Sequence, residues 1–403
     1  MTSMGMAPTL AERLLPYVRQ VMQVDVVTAG GPQTGFEAQF GGRLVIDSRE
    51  AYDRLKEPFA REGARVMLRV GPPGHLILAV VMPPPRPSNP WINALLFLAT
   101  SVTVLIAGVL NGAGYRVAGL GPDVPATVDL SRDLPLGIVF AASLLSILLA
   151  HEFGHYVTAR IHGTSVSLPY FLPMPSALGT LGAFIQLKEP PRDRRALLDI
   201  GLSGPVAGLV VALPILLVGL SLSQVARLPS SAAALPGLTL EGNSVVYLGA
   251  KLLITGKLLP EPTTYGGVPP LLYWARYVLT GQPAPVGGLD VMLHPMAWAG
   301  WIGLLVTALN LIPAGQLDGG HLLYVLIGNA ADRLLPFLIV GLVGLGFLWS
   351  GWWLWAMLLF FLGRGHAQPL DQITPLDSRR KLAAILGLVL LVLIFMPVPF
   401  SGL

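Results

Sequence analysis

The stretch Leu134–His155 reads LPLGIVFAASLLSILLAHEFGH. From Leu134 to Ala150 it contains one Pro and no Asp, Glu, Lys or Arg, the pattern of a segment that crosses hydrocarbon. Its last five residues are His151-Glu152-Phe153-Gly154-His155. On a helix this spacing sets two imidazoles one turn apart on one face, with a carboxylate between them. Two histidine nitrogens suit zinc, and the carboxylate suits a general base beside a metal-activated water. In a soluble chain the pattern would indicate an ordinary metallohydrolase. At the end of a membrane span it indicates hydrolysis inside or at the edge of the bilayer.

The rest of the composition agrees with a membrane setting. Of 403 residues, 53% are apolar and only 12% charged, about half the charge of a soluble domain. Mean hydropathy is +0.66, and several further long runs lack charge, so the class is a polytopic membrane protein in a lipid bilayer. There is no cysteine, which excludes disulfides, thiolate metal sites and cysteine nucleophiles; a zinc ion must take His and carboxylate ligands. The net charge of +4 is small, and no basic patch interleaved with aromatics points to nucleic acid. Met1 to Val24 has no signal-peptide character.

Residues 1–84 carry alternating apolar patterns and most of the early charge. They predict a small α+β soluble domain, with helices over Leu10–Val21 and Ser48–Arg61 and strands over Asp25–Thr28, Phe36–Phe40, Arg65–Val70 and Leu76–Val81. Residues 85–90 continue a proline-rich run that begins at Pro83, a stiff linker, and residues 91–403 form the membrane part. Spans are expected over Trp91–Leu110, Leu134–Thr158, Leu197–Leu222, Met292–Ile312, two within Leu334–Phe361 broken at Ser350-Gly351, and Leu382–Pro397. A short helix is expected over Asp318–Ile327. The fold class is thus an all-α bundle of about seven transmembrane helices with the N-terminal α+β domain attached. Arg160, Lys188, Arg192, Arg194 and Arg195 follow the histidine motif, and Arg364, Arg379, Arg380 and Lys381 precede the last span. The loop Asn111–Asp133 has only Arg116 and Arg132. The basic loops put the N-terminal domain and the ends of the second and fourth spans on the cytoplasmic side.

That orientation brings a second motif to the depth of the first: Asn310-Leu311-Ile312-Pro313-Ala314-Gly315-Gln316-Leu317-Asp318-Gly319-Gly320-His321. A catalytic zinc takes a third protein ligand and keeps one open position. Asp318, the only acid in an uncharged stretch, can supply that ligand; an unpaired acid so near the bilayer would be costly.

The two motifs together resemble the site-2 protease family (peptidase M50) of intramembrane zinc metalloproteases, in its EGY-like branch. The similarity extends to Gly179-Thr180-Leu181-Gly182-Ala183, Asp199 to Gly204-Pro205, Asn243-Ser244 and the turn Gly363-Arg364 to His366, and covers about residues 90–400. It implies His151, His155 and Asp318 as ligands of one zinc, Glu152 as the base, and Asn310 as a polar group beside the substrate carbonyl. It also implies a single-span membrane protein as substrate, and a bacterial inner membrane is the expected location. The PDZ domains of some branches are not apparent. Oligomeric state is not legible.

His321 reads as a structural or outer histidine, His162, His294 and His366 as loop or interface residues, and His75 as surface. Between the motifs, Ser165–Leu168 and Ala183–Leu187 read as short strands around Pro169–Gly182, a re-entrant β-hairpin whose edge could hold an extended substrate. Gly201-Leu202-Ser203-Gly204 matches a rhomboid-like serine motif, but small residues there fit close helix packing better. A metal carrier, or a catalytically inactive protease relative that binds membrane clients, is the alternative. A carrier would spread ionisable residues along several spans, whereas here they gather at one depth.

Overall fold

The computed structural model describes residues 8–31, 33–84, 87–117, 127–228, 239–283, 285–363 and 368–402. Part of the proline-rich linker (Pro85, Arg86), the middle of the loop after the first span, and Arg364 to His366 lie outside these residues.

The N-terminal unit comprises α1 (Leu10–Val18), β1 (Met22–Gly31), β2 (Phe36–Leu44), α2 (Ser48–Arg61), β3 (Arg65–Gly71) and β4 (Gly74–Val80). Local chemistry starts both helices. Thr9 and Glu12 form a reciprocal capping box on α1, and the Asp47 side chain accepts from Arg49 N at α2. The four strands pair antiparallel in the order β1-β2-β4-β3. Alternate strand positions Phe40, Val66, Leu68 and Ile77 share one core with Leu14 and Val18 of α1 and Leu55 and Phe59 of α2. Both helices and all four strands overlap the expected segments, but α1 stops at Val18 rather than Val21, and β1 and β2 run longer than expected, over Met22–Gly31 and Phe36–Leu44. His75 is half-buried rather than on the surface, its Nδ1 accepting from Leu44 N at 3.3 Å.

Three helices are long and apolar enough to cross a membrane: α3 (Pro90–Val117), α4 (Leu130–Ile161) and α5 (Arg194–Ser221). They match the first three expected spans. The hairpin strands β5 (Tyr170–Pro173) and β6 (Thr180–Phe184) lie between α4 and α5. After α5 come β7 (Gln224–Arg227), β8 (Thr239–Glu241), α6 (Val245–Thr255), α7 (Pro270–Thr280) and β9 (Leu289–Met292). Then follow α8 (Pro295–Asn310), α9 (Asp318–Ile327), α10 (Leu335–Leu345), α11 (Gly351–Leu362), α12 (Ser378–Ile394) and β10 (Phe400–Gly402).

The other expected spans are shorter than a straight crossing of about 20 residues. α8 has 16 residues and α12 has 17. α10 and α11 have 11 and 12, separated by the break around Ser350. Residues 318–333 and Leu335–Leu345 together are apolar enough for a span but bend by 84°, so three or four helices among the described residues pass the length test. Pro295 and Pro313 bound α8: the first is tolerated in a first turn, the second cannot continue a helix. α8 is also sheathed in protein, with Trp301, Ile302, Leu304 and Ala308 buried in the main core beside Leu144, Leu216 and Leu322. Glycines let the long helices approach. A Cβ at Gly108 of α3 would press on the backbone of Gly137 in α4.

Candidate metal centre

The first motif occupies the C-terminal part of α4, where His151, Glu152 and His155 are all buried. The helical period does the local work, stacking the two imidazoles on the face turned toward α5. The second motif begins where α8 stops. Asn310 is the last residue of α8, Pro313 prevents its continuation, and the chain turns through Gly315, at φ 53°, before restarting at Asp318 as the first residue of α9. The third expected ligand is therefore carried by a separate helix, in the place of the predicted short helix over 318–327.

These elements bring three donor atoms together. His155 Nε2 lies 3.2 Å from His151 Nε2, and the Asp318 carboxylate oxygens lie 3.3 Å from each imidazole. Tetrahedral zinc with ligand bonds near 2.0–2.1 Å holds its donors about 3.3 Å apart. Two nitrogen lone pairs and a carboxylate facing one another at that spacing are what a dication would hold, and no other such group occurs among the described residues. His155 is further oriented: its Nδ1 is 2.7 Å from the Ile200 carbonyl. An N–H donated there leaves Nε2 with its lone pair toward the site.

Helix α5 makes room for the imidazoles. A Cβ at Gly204 would overlap the His155 ring, and one at Gly208 would lie 3.2 Å from His151 Nδ1. Sequence reading grouped Gly204 with helix packing, and the spacing Gly201, Gly204, Gly208 was the available signal for an imidazole-bearing groove. The Ile200 carbonyl had none, since a backbone oxygen leaves no mark in residue type. Ser203 lies outside the donor group, and its hydroxyl donates to the same carbonyl in its own helix at 2.8 Å.

The donor atoms line a cavity of about 150 Å³ with Glu152, Asn310, Gln316, His321, residues 183–185 and Leu187. Asn310 Nδ2 is 3.3 Å from His151 Nε2. A second cavity of about 650 Å³ shares Phe184, Ile185, Leu187, Gln316 and His321 with the first. His321 thus borders the site without joining the donor group. His162 pairs with Asp199 at 3.1 Å, and His294 caps α8.

Residues 139–349, just over half the chain, match the profile of Peptidase family M50. The chain belongs to peptidase family M50. A relative from Oryza sativa subsp. indica, named "Probable zinc metalloprotease EGY2, chloroplastic", is 28% identical over 385 residues, covering 93% of this M50 chain and 64% of its own. From Arabidopsis thaliana, "Probable zinc metalloprotease EGY1, chloroplastic" is 30% identical over 356 residues (85% and 58%), and "Probable zinc metallopeptidase EGY3, chloroplastic" is 28% identical over 326 residues (79% and 51%). The M50 chain spans less than two thirds of each relative's length. All three carry a chloroplast designation, so they do not support the expected bacterial inner membrane. No solved structure matches.

Proposed function

We propose that this M50 chain is a zinc metalloprotease that hydrolyses peptide bonds within the membrane-spanning segments of other membrane proteins. The observation that carries the reading is the convergence of His151 Nε2, His155 Nε2 and an Asp318 carboxylate at 3.2–3.3 Å in one cavity wall with Glu152 and Asn310. The three would hold one zinc ion per chain. When bound, zinc supplies the Lewis acidity that polarises a carbonyl and makes water a nucleophile near neutral pH. Glu152 takes the proton of the attacking water and delivers it to the leaving amine. Asn310 donates an amide N–H to the carbonyl oxygen as charge develops on it. The Ile200 carbonyl keeps His155 in its ligating tautomer.

A substrate helix hides its carbonyls in its own hydrogen bonds, so it has to be drawn out before cutting. The hairpin suits that task. Asn93 Nδ2 donates to the carbonyls of Leu168 and Pro169, and Thr103 Oγ1 donates to the Gly179 carbonyl, so α3 grips the β5 side and the turn. The end of β6 and the residues after it, Ala183, Phe184, Ile185 and Leu187, line the cavity. An extended substrate strand adds there, beside the donor group. We read the hairpin as re-entrant and the substrate as a single-span protein. We also read the shorter apolar helices as completing about seven spans, residues 1–84 as a soluble domain, and the basic side as cytoplasmic.

The test is Glu152→Gln in the full chain. We expect zinc retained, and cleavage of a transmembrane test peptide lost by at least about 100-fold. Cleavage at the wild-type rate would remove Glu152 as base. A wild type that holds zinc and cuts nothing would be a non-catalytic relative.

A further inference from the structure

The N-terminal unit is stitched to the membrane part, and the stitching leads to the metal centre. Residues 368–374, between α11 and α12, run as a strap beside β3, the edge strand of the N-terminal sheet. Leu68 N donates to the Leu370 carbonyl at 2.8 Å, and Gln372 N donates to the Leu68 carbonyl at 3.1 Å. The pairing is parallel. Arg69 Nη1 donates to the carbonyls of Pro369 and Leu370 at 3.1 and 2.9 Å, and Ser48 Oγ, at the start of α2, meets Thr374 Oγ1 at 2.8 Å. The strap's other side is held by the segment before α5. Leu370 N donates to the Pro191 carbonyl at 2.9 Å and Asp371 N to the Arg192 carbonyl at 2.7 Å. Two ion pairs flank the seam, Arg192–Asp53 at 2.8 Å and Arg65–Glu189 at 3.1 Å.

Two routes run inward from this strap. Gln372 Nε2 donates to the Tyr324 hydroxyl at 2.9 Å, and Tyr324 lies buried on α9, the helix whose first residue is Asp318. The Arg194 guanidinium sits 5.9 Å over the Tyr324 ring. The second route is Asp193, paired main chain to main chain with Asp371 and capping α5 through Ala196 N at 2.9 Å; α5 carries the Ile200 carbonyl that orients His155. A short helix moves as a rigid body, so a shift at one end displaces a ligand at the other.

On the reading of the site as a zinc centre, we infer that Gln372 and Tyr324 are positioning residues for it, and that the N-terminal unit sets their position through the strap. The unit is then part of the support of the metal centre, and whatever pulls it from residues 368–374 loosens α9 and Asp318.

The experiment uses the full chain in detergent, with zinc affinity and the absorption bands of the cobalt(II)-loaded protein as readouts. Gln372→Ala, Tyr324→Phe and Arg69→Ala are each expected to weaken zinc binding about tenfold, the lower end for partners outside the ligand set, and to shift the cobalt bands. Tyr324→Phe keeps the buried ring and removes only the hydroxyl. The chain has no cysteine, so Ser48→Cys with Thr374→Cys introduces a single disulfide across the seam. Closing it in the Arg69→Ala background is expected to restore wild-type affinity and bands, which a general loss of folding would not allow. Cobalt bands and zinc affinity unchanged in Gln372→Ala and Tyr324→Phe would overturn the inference and leave the zinc reading intact. A wild type that takes up no cobalt would overturn both.

Discussion

Asn310 differs from the three donor residues in what its loss should do. It ends α8 with Nδ2 3.3 Å from His151 Nε2, close enough to serve a carbonyl at the site yet outside the donor group. Asn310→Leu keeps the size and removes the donor. It should leave zinc content unchanged while lowering the cleavage rate about 100- to 1,000-fold, the scale of one lost oxyanion donor; loss of zinc instead would make Asn310 a structural support. Gly204 makes the opposite forecast. Any Cβ there overlaps the His155 ring, so Gly204→Val should displace the imidazole and abolish zinc retention, measured by metal content of the purified protein. Both histidines and Asp318 were legible because their chemistry is written in residue type: a helical spacing of four, and an acid where none is cheap. The Ile200 carbonyl was not legible, since every residue offers one.

At the scale of elements, the hairpin is the part whose sequence reading moved. Strands were expected over Ser165–Leu168 and Ala183–Leu187. The regular ladder instead lies nearer the tip, pairing Tyr170 with Phe184, Phe171 with Ala183 and Pro173 with Thr180; only the bridge Val166–Leu187 falls in the expected segments. Side-chain packing explains the shift. Tyr170 and Phe184 stack at 5.4 Å, Phe171 is buried with its ring edge-on to Phe97 of α3, and Gly179 fits against Val104 where a Cβ could not. Deleting Leu172 to Ala177 removes the tip and leaves the donor group untouched. Zinc should stay bound while cleavage of a transmembrane substrate falls at least about tenfold; undiminished cleavage would take the hairpin out of the mechanism. The span lengths moved for a related reason. Only α8 is sheathed in protein, whereas α10, α11 and α12 leave Phe337, Val340, Trp353, Phe361 and Val392 exposed; apolar composition alone reads the same in both settings.

At the scale of the whole molecule, the two ends of α5 are organised differently. The strap and the N-terminal unit lie at its start. Beyond its far end, β8 pairs with β10, and Trp301 Nε1 donates to the Gly242 carbonyl at 2.9 Å. A charged group is buried there: Glu241 Oε1 accepts from the Tyr247 hydroxyl at 2.8 Å and lies 3.9 Å from Lys251 Nζ, which sits 4.4 Å over the Tyr247 ring. Burial, aided by the nearby Asp290 carboxylate, raises the Glu241 carboxyl to about 7, against the pull of Lys251. A pKa higher folded than unfolded means that the protonated form favours folding. This contribution is complete below the ordinary glutamate range and is lost as pH rises through about 7. The thermal midpoint in detergent should therefore fall between pH 5 and 8, and Glu241→Gln should flatten that slope; an unchanged slope would place the titration elsewhere.

The sequence alone determined the membrane class, the elements of the N-terminal unit and the first three long helices, and it named the three residues whose donor atoms the fold brings together. Each of these is carried by composition or by a period of two or four residues, and such periods survive without knowledge of distant neighbours. Tertiary structure alone decided that Gly204 receives His155, that Ile200 orients it, and that residues 368–374 join β3 to the helix bearing Asp318. Those contacts link residues tens to hundreds of positions apart through main-chain groups and close helix approaches, and they exist only once the chain has packed.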